Sequence, residues 1–152
     1  MGEAQAETAR RLIDSVAYMT LATADRDGRP WASPVWYAHD NYREFIWVSK
    51  PDARHSVNLA VRPELAIVIF DSHVHPGHGE GVYIEARATE LTGSDADSAL
   101  AIFSQRSVAQ GMRPWSADDV GEGARLRLYG ATASALFILS PDDRRIPVAL
   151  HS

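Results

Sequence analysis

From residue 3 the apolar positions recur with a helical rhythm. Ala6, Ala9, Leu12, Ile13 and Val16 fall on one face, and Glu7, Arg10, Arg11 and Asp14 fall on the others. The spacing predicts an amphipathic helix over Glu3–Val16. The rhythm then changes. Ala17–Thr23 and Pro30–Ala38 read as strands joined by Asp25–Gly28, where Asp-Gly between two β-type runs is a hairpin signal. Pro34 lacks the N–H a ladder needs, so the second strand is expected at an edge or with a bulge. His39–Arg43 reads as a turn and Glu44–Ser49 as a third strand.

A short helix is predicted from Pro51-Asp52 to about Val61. Asp52 is its expected N-cap, Ala53, Val57, Ala60 and Val61 its apolar stripe, and Pro63 its terminator. Leu65–Phe70 is apolar throughout, as a central strand would be. Asp71–Gly81 is a polar loop with three histidines. Val82–Leu91 is a further strand. Ser94 and Asp97 have the spacing of a capping box for a helix to about Ala109, with Ala96, Leu100, Phe103 and Ser107 on its buried side. Gly111–Gly123 reads as an irregular connector. Ala124–Leu139 is a long strand with Leu126, Leu128 and Ala131 as inward positions. A turn at Ser140–Asp143 and a last strand over Arg145–Leu150 complete the chain.

Tight turns between the early strands exclude a parallel doubly wound sheet, which needs crossover helices. The expected fold is mainly β, of the α+β kind: six or seven strands in an antiparallel barrel with short flanking helices. At 152 residues, without repeats or a domain-scale linker, the chain is expected to be a single domain over 1–152.

Composition narrows the function classes. A net charge of −5 with scattered lysines and arginines gives no phosphate-backbone footprint, so no nucleic-acid partner is expected. The absence of cysteine excludes disulfides and thiolate chemistry. No apolar run approaches the ~20 residues of a membrane span. The N-terminus is acidic rather than basic then apolar, so no secretory signal, no membrane partner and a cytoplasmic location are expected.

Candidate chemistry gathers between Leu21 and Asp71. Arg54 and His55 stand in the first turn of a predicted helix, where cations oppose the macrodipole. Ser49 and Lys50 precede them. Free helix N–H groups, a guanidinium and a hydroxyl together suit a phosphate, although solvated surface charges would read the same. In the strand Trp31–Tyr37, Trp36 and Tyr37 point to opposite faces, and Trp47 lies on the neighbouring strand. One of these aromatics could flank a planar ligand, or all could pack into core and interface. His73, His75 and His78 match no strong metal motif. Gly77, Gly79 and Gly81 lead into a strand and form no dinucleotide fingerprint. No serine sits in a nucleophile elbow, and no catalytic side chain or metal ligand is assigned. A bound cofactor is expected to carry any chemistry.

Tyr18–Thr23, Asp27–Pro30, Ser33–Tyr37, Phe45–Ser49, Ala53–Leu59 and Arg62–Phe70, in that order and spacing, resemble the pyridoxamine 5′-phosphate oxidase-like family of flavin-binding split barrels. The resemblance covers about Glu7–Thr92 well and is looser beyond Ser94. It implies a six-stranded split-barrel homodimer with two cofactor sites at the subunit interface. FMN is the common cofactor of that family. One branch uses an 8-hydroxy-5-deazaflavin coenzyme, and some members bind heme. By resemblance, Arg54 matches the arginine and His55 the lysine of the phosphate-binding pair. Val48 and Ser49 match the pair before it. Ser33 to Tyr37 match the strand along the isoalloxazine ring.

Two departures argue against vitamin B6 oxidation. Ser33 stands in place of a phosphate-binding arginine, and no Arg-rich substrate segment is recognisable in 142–152. The expected function is a homodimeric, FMN-dependent oxidoreductase acting on a small molecule. Ser33, Val35, Trp36, Tyr37, Val48, Ser49, Lys50, Arg54, His55 and Trp115 are its cofactor-binding candidates. Trp115 and the histidine loop are expected to close the site from the partner subunit. The alternatives are a deazaflavin-dependent reductase and a non-catalytic flavin-binding or flavin-sensing dimer.

Overall fold

The computed structural model describes residues 2–150; the last two residues of the 142–152 segment lie outside them. Helix α1 (Gly2–Ser15) leads into strands β1 (Tyr18–Ala24), β2 (Pro30–Trp36), β3 (Ala38–Asp40) and β4 (Glu44–Ser49). Helix α2 (Arg54–Val61) precedes β5 (Glu64–Phe70) and β6 (Gly81–Glu90). Helix α3 (Gly93–Ala109) and a 3-10 turn at Ala117–Asp119 precede β7 (Arg127–Leu139) and β8 (Arg145–Val148).

All strand pairings are antiparallel, in the order β2-β1-β5-β6-β7-β4-β3, with β8 beside the C-terminal half of β7. The ends of this path, β2 and β3, are separated in sequence by Tyr37 alone. That continuity forces the sheet to curl until its two ends meet. No ladder joins β2 to β4 among the described residues, so the curled sheet is a barrel split along one seam. A bulge between Glu85 and Ala86 in the β6–β7 pairing adds local bend.

Eight strands replace the six or seven expected. The extra one, β3, comes from breaking the predicted Pro30–Ala38 run at Tyr37 and from pairing part of the predicted His39–Arg43 turn. Tyr37 is fully buried, and its hydroxyl donates to the Ile13 carbonyl at 2.7 Å. The chain changes partner there, from β1 to β4. The turn that follows places Asn41 and Tyr42 at positive φ, 52° and 56°. Tyr42 is held by its N–H to His39 Nδ1 at 3.1 Å and by its hydroxyl to Asp14 Oδ2 at 2.7 Å. His39 Nε2 meets the other Asp14 oxygen at 2.8 Å. Pro34 does lie on an end strand, where its missing N–H costs no ladder bond.

The inward faces of the barrel build one core, including Met19, Leu21, Val35, Phe45, Trp47, Ile67, Ile69 and Ile84, closed on one side by Ala9, Leu12 and Ile13 of α1. A second cluster joins Phe103 of α3 to Ala38, Ile46 and Leu128 on the outer face of β3, β4 and β7. Two predicted caps are corrected. Asp52 does not cap α2: the N-cap is Ala53, without a side-chain bond, and Asp52 lies 3.6 Å from Lys50. Ser94 and Asp97 form no capping box, since α3 begins earlier with Thr92 as N-cap; a capping box instead joins Ser116 and Asp119.

The α2 stripe is also different from its expectation. Ser56, Asn58 and Leu59 are buried, whereas Val57 and Val61 are 53% and 46% exposed. The reason is a polar anchor: Asn58 Nδ2 donates to Thr23 Oγ1 on β1 at 3.0 Å, which rotates the helix away from its apolar stripe.

A candidate phosphate seat at the barrel seam

The connection from β4 to α2 carries the chain across the seam. Phe45, Trp47 and Ser49 share the inward face of β4, and Ser33 and Val35 share the inward face of β2. His55, in the first turn of α2, lies between the two strands. Its Nε2 is 2.6 Å from Ser49 Oγ and its Nδ1 is 3.2 Å from Ser33 Oγ. Where no backbone ladder connects β2 to β4, this imidazole bridges them through side chains. Both serines are 8% exposed.

The start of α2 is otherwise open. It has no acidic residue in its first turn. Among the described residues, no acceptor meets the N–H of Arg54, His55 or Ser56. The Arg54 guanidinium is exposed and lies 4.2 Å from the centroid of the Trp31 ring. Free N–H groups, a helix-end positive potential, an accessible guanidinium and the hydroxyl of whichever serine accepts from the ring form a donor set that fits a phosphate monoester.

The ten sequence candidates separate into groups. Ser33, Ser49 and His55 are brought into direct contact, with Arg54 beside them and Val35 inward on the strand of Ser33. Lys50 is on the same connection and pairs with Asp52. Trp36, Val48 and Trp115 lie on the other side of the sheet, packed against α3; Trp36 and Trp115 both meet the Phe103 ring edge-on, at 5.3 and 5.4 Å. Tyr37 is deep in the core, under Arg106. Trp36 and Tyr37 are therefore packed into the protein and do not flank the seat within the chain. Trp47, too, is a core residue stacked on Tyr129. The aromatic next to the seat is Trp31, absent from the candidates. Its signal was the two-residue period of β2, which puts it on the face of Ser33 and Val35.

His73 is 93% exposed and pairs with Asp71 at 3.0 Å. No group of three or more His, Asp or Glu that could hold a metal occurs among the described residues. None of the helices in the described residues is long and apolar enough to cross a membrane.

Burial holds the His55 imidazole below its ordinary value of 6.5, so the neutral ring is favoured in the folded protein. Above pH 6.5 the ring is neutral in both folded and unfolded chains and contributes no pH dependence. As pH falls below 6.5 the unfolded chain takes up the proton first, and stability is lost down to the lower folded value. The wild-type denaturation midpoint should therefore fall more between pH 7 and pH 5 than that of His55→Gln. Urea unfolding at both pH values checks this.

The family model for pyridoxamine 5′-phosphate oxidase matches residues 6–127. No curated protein matched the chain. Among solved structures, a heme-binding protein from Mycobacterium smegmatis superposes with a TM-score of 0.74 at 22% identity, over 95% of this chain and 57% of that one. The heme storage protein HutZ from Vibrio cholerae gives 0.68 at 17% identity, over 87% and 92% of the two chains. An F420 reductase gives 0.61 at 18% identity, over 84% and 94%. At these identities the likenesses establish the fold and nothing finer. With the family model spanning most of its length and the split barrel present, the chain belongs to the pyridoxamine 5′-phosphate oxidase-like family.

Proposed function

We propose that the chain is a flavin-binding oxidoreductase that seats FMN by its phosphate at the α2 start and acts on a small molecule. The observation that carries this reading is the open first turn of α2, with Arg54 accessible and Ser33, His55 and Ser49 joined across the seam. Arg54 would pair with the phosphate, and the serine hydroxyls and the free N–H groups of α2 would complete its shell. The bound flavin would supply hydride transfer. Trp31 and Val35 would border the cofactor from β2. Ser33 brings no charge to the seat, so the reading excludes the extra phosphate contact needed for vitamin B6 oxidation.

FMN titration of purified protein, followed by flavin absorbance and fluorescence, tests the reading. Arg54→Ala should weaken FMN roughly tenfold, by the ~1.5–3 kcal/mol range of a charge-assisted bond discounted for exposure. Riboflavin, which lacks the phosphate, should bind wild type and variant alike. No FMN binding, or an unchanged affinity in Arg54→Ala, would sink the proposal.

A deazaflavin coenzyme is the second reading. The specific observation in its favour is the uncharged Ser33 beside an open helix start, together with the F420 reductase among the structural relatives. Competition between FMN and the deazaflavin separates the two. Heme belongs in the same competition, because two relatives are heme proteins. A flavin carrier without turnover would bind FMN yet show no bleaching by nicotinamide reductants in stopped flow.

The seat is proposed to be completed by a second copy in a cytoplasmic homodimer of this single-domain chain. The outer face of β1, β5, β6 and β7 carries an apolar depression of about 400 Å³ lined by Thr20, Ala22, Ala66, Val68, Tyr83 and Phe137, among others. Tyr18 and Phe70, 62% and 49% exposed, extend the same face. An apolar sheet face of this extent favours a partner. Sedimentation at the dimer mass, lost in Val68→Glu, is the expected result; a wild-type monomer at micromolar concentration would refute it.

A further inference from the structure

We propose that phosphate binding at the α2 start is linked to proton uptake by His55, so that pH sets how fully the seat is loaded. The inference rests on the flavin-phosphate reading and concerns the regulation of that seat.

The chemistry follows from the bridge. A neutral imidazole has one N–H and one lone pair. Ser49 faces Nε2 and Ser33 faces Nδ1. Whichever tautomer is present, one serine donates its hydroxyl proton into the ring and the other accepts from it. Only the accepting serine keeps a hydroxyl proton free. In the imidazolium both nitrogens are donors, both serines accept, and both hydroxyl protons become available. Protonation therefore gives an adjacent anion one further hydroxyl donor and one full charge, in the first turn of a helix beside Arg54.

The empty seat opposes that protonation. Burial disfavours the charged ring, and the positive end of α2 acts in the same sense. Of the charged groups on the surrounding elements, Asp25 acts on Arg54, and none pairs with the ring. Lys50 and Asp52 on the β4–α2 connection pair with each other. Asp25, in the β1–β2 turn, accepts the backbone N–H groups of Asp27 and Arg29. Arg127, opposite Ser49 on β7, is bound to the carbonyls of Gly121 and Ala124. Glu90 of β6 lines the groove along the other side of α2. None of these is in ion-pair contact with His55 among the described residues. A docking phosphate supplies the missing countercharge, and proton and phosphate favour each other's binding.

Calorimetry of FMN binding in two buffers of different ionisation enthalpy counts the protons taken up. Wild type should take up more protons than His55→Gln at the same pH, since the ionisation of FMN itself is common to both. The wild-type affinity should rise relative to His55→Gln by about three- to fivefold between pH 8 and pH 6, as a one-unit upward shift of a ring that starts below 6.5 gives over that range. Riboflavin should show no such difference. Inorganic phosphate is the second probe, with the His55 ring titration followed by NMR; a titration moved upward by phosphate supports the link. Equal proton uptake in wild type and His55→Gln overturns it while leaving the flavin reading standing. No FMN binding at any pH, with the His55 titration still raised by phosphate, overturns the flavin reading and supports the link. No response to either probe overturns both.

Discussion

Trp47→Ala is expected to destabilise the protein by about 4 kcal/mol, within the range for truncating a buried tryptophan, and to lower its melting temperature by roughly 10 °C. Trp47 is completely buried and stacks on Tyr129 with ring centroids 5.9 Å apart. The cavity would open on the inward face of β4, two residues before Ser49, so the damage reaches the seam as well as the core. The indole Nε1 is buried without a hydrogen-bond partner. Trp47→Phe removes that orphan donor and keeps the stacking partner, and its loss should be well below that of Trp47→Ala. Thermal and urea unfolding of the two variants measure the difference. Equal losses would show that the retained phenyl ring recovers nothing and would refute core packing as the source of the loss. FMN affinity of the folded Trp47→Ala fraction should also fall, because Ser49 loses its neighbour on the same strand face.

Arg106→Ala is expected to cost about 3 kcal/mol, the scale of losing several hydrogen bonds made by one charged donor. Helix α1 ends without a basic residue in its own last turn. Arg106, from α3, takes that place: its guanidinium donates to the carbonyls of Asp14, Ile13 and Val16 at 3.0, 3.1 and 3.2 Å. It also lies 5.3 Å from the centroid of the Tyr37 ring, whose hydroxyl donates to Ile13 as well. One side chain thus ties α3 to the end of α1 and to the residue at which the chain passes from β2 to β3. A positive group at a helix C-terminus complements the macrodipole, and a planar fork meets several carbonyls where an ammonium cannot. Arg106→Lys should recover less than half of the loss. Chemical denaturation reads both variants, and full recovery by lysine would show that charge alone matters.

The order of elements was legible in the chain because each has a local cause. Helical periodicity marks α1, Asp-Gly marks the first hairpin, and a proline ends α2. The break at Tyr37 was not legible. Nothing local distinguishes that residue from its neighbours; its burial depends on the Ile13 carbonyl and Arg106, both distant in sequence. The face of α2 was misjudged for a similar reason, since the bond from Asn58 to Thr23 outweighs two valines left in water. The cap at Asp52 failed because its carboxylate lies against Lys50, and the one at Ser94 because α3 begins earlier, with Thr92 as N-cap.

For the candidate site, the residue types and their order could be read along the chain: a hydroxyl before the helix, a cation and an imidazole in its first turn, and a serine on the earlier strand. Those were enough to indicate an anion seat and a family. Which of them meet depends on how the sheet closes. Curling of the sheet brings β2 and β4 to either side of a seam that no ladder closes, and His55 joins Ser33 to Ser49 across it. The same curvature sends Trp36, Val48 and Trp115 to the α3 side and leaves Trp31 beside Arg54. The alternation of a strand assigns each residue to one of two faces. Closure of the barrel decides which face is the site, and that depends on contacts between residues far apart in the chain.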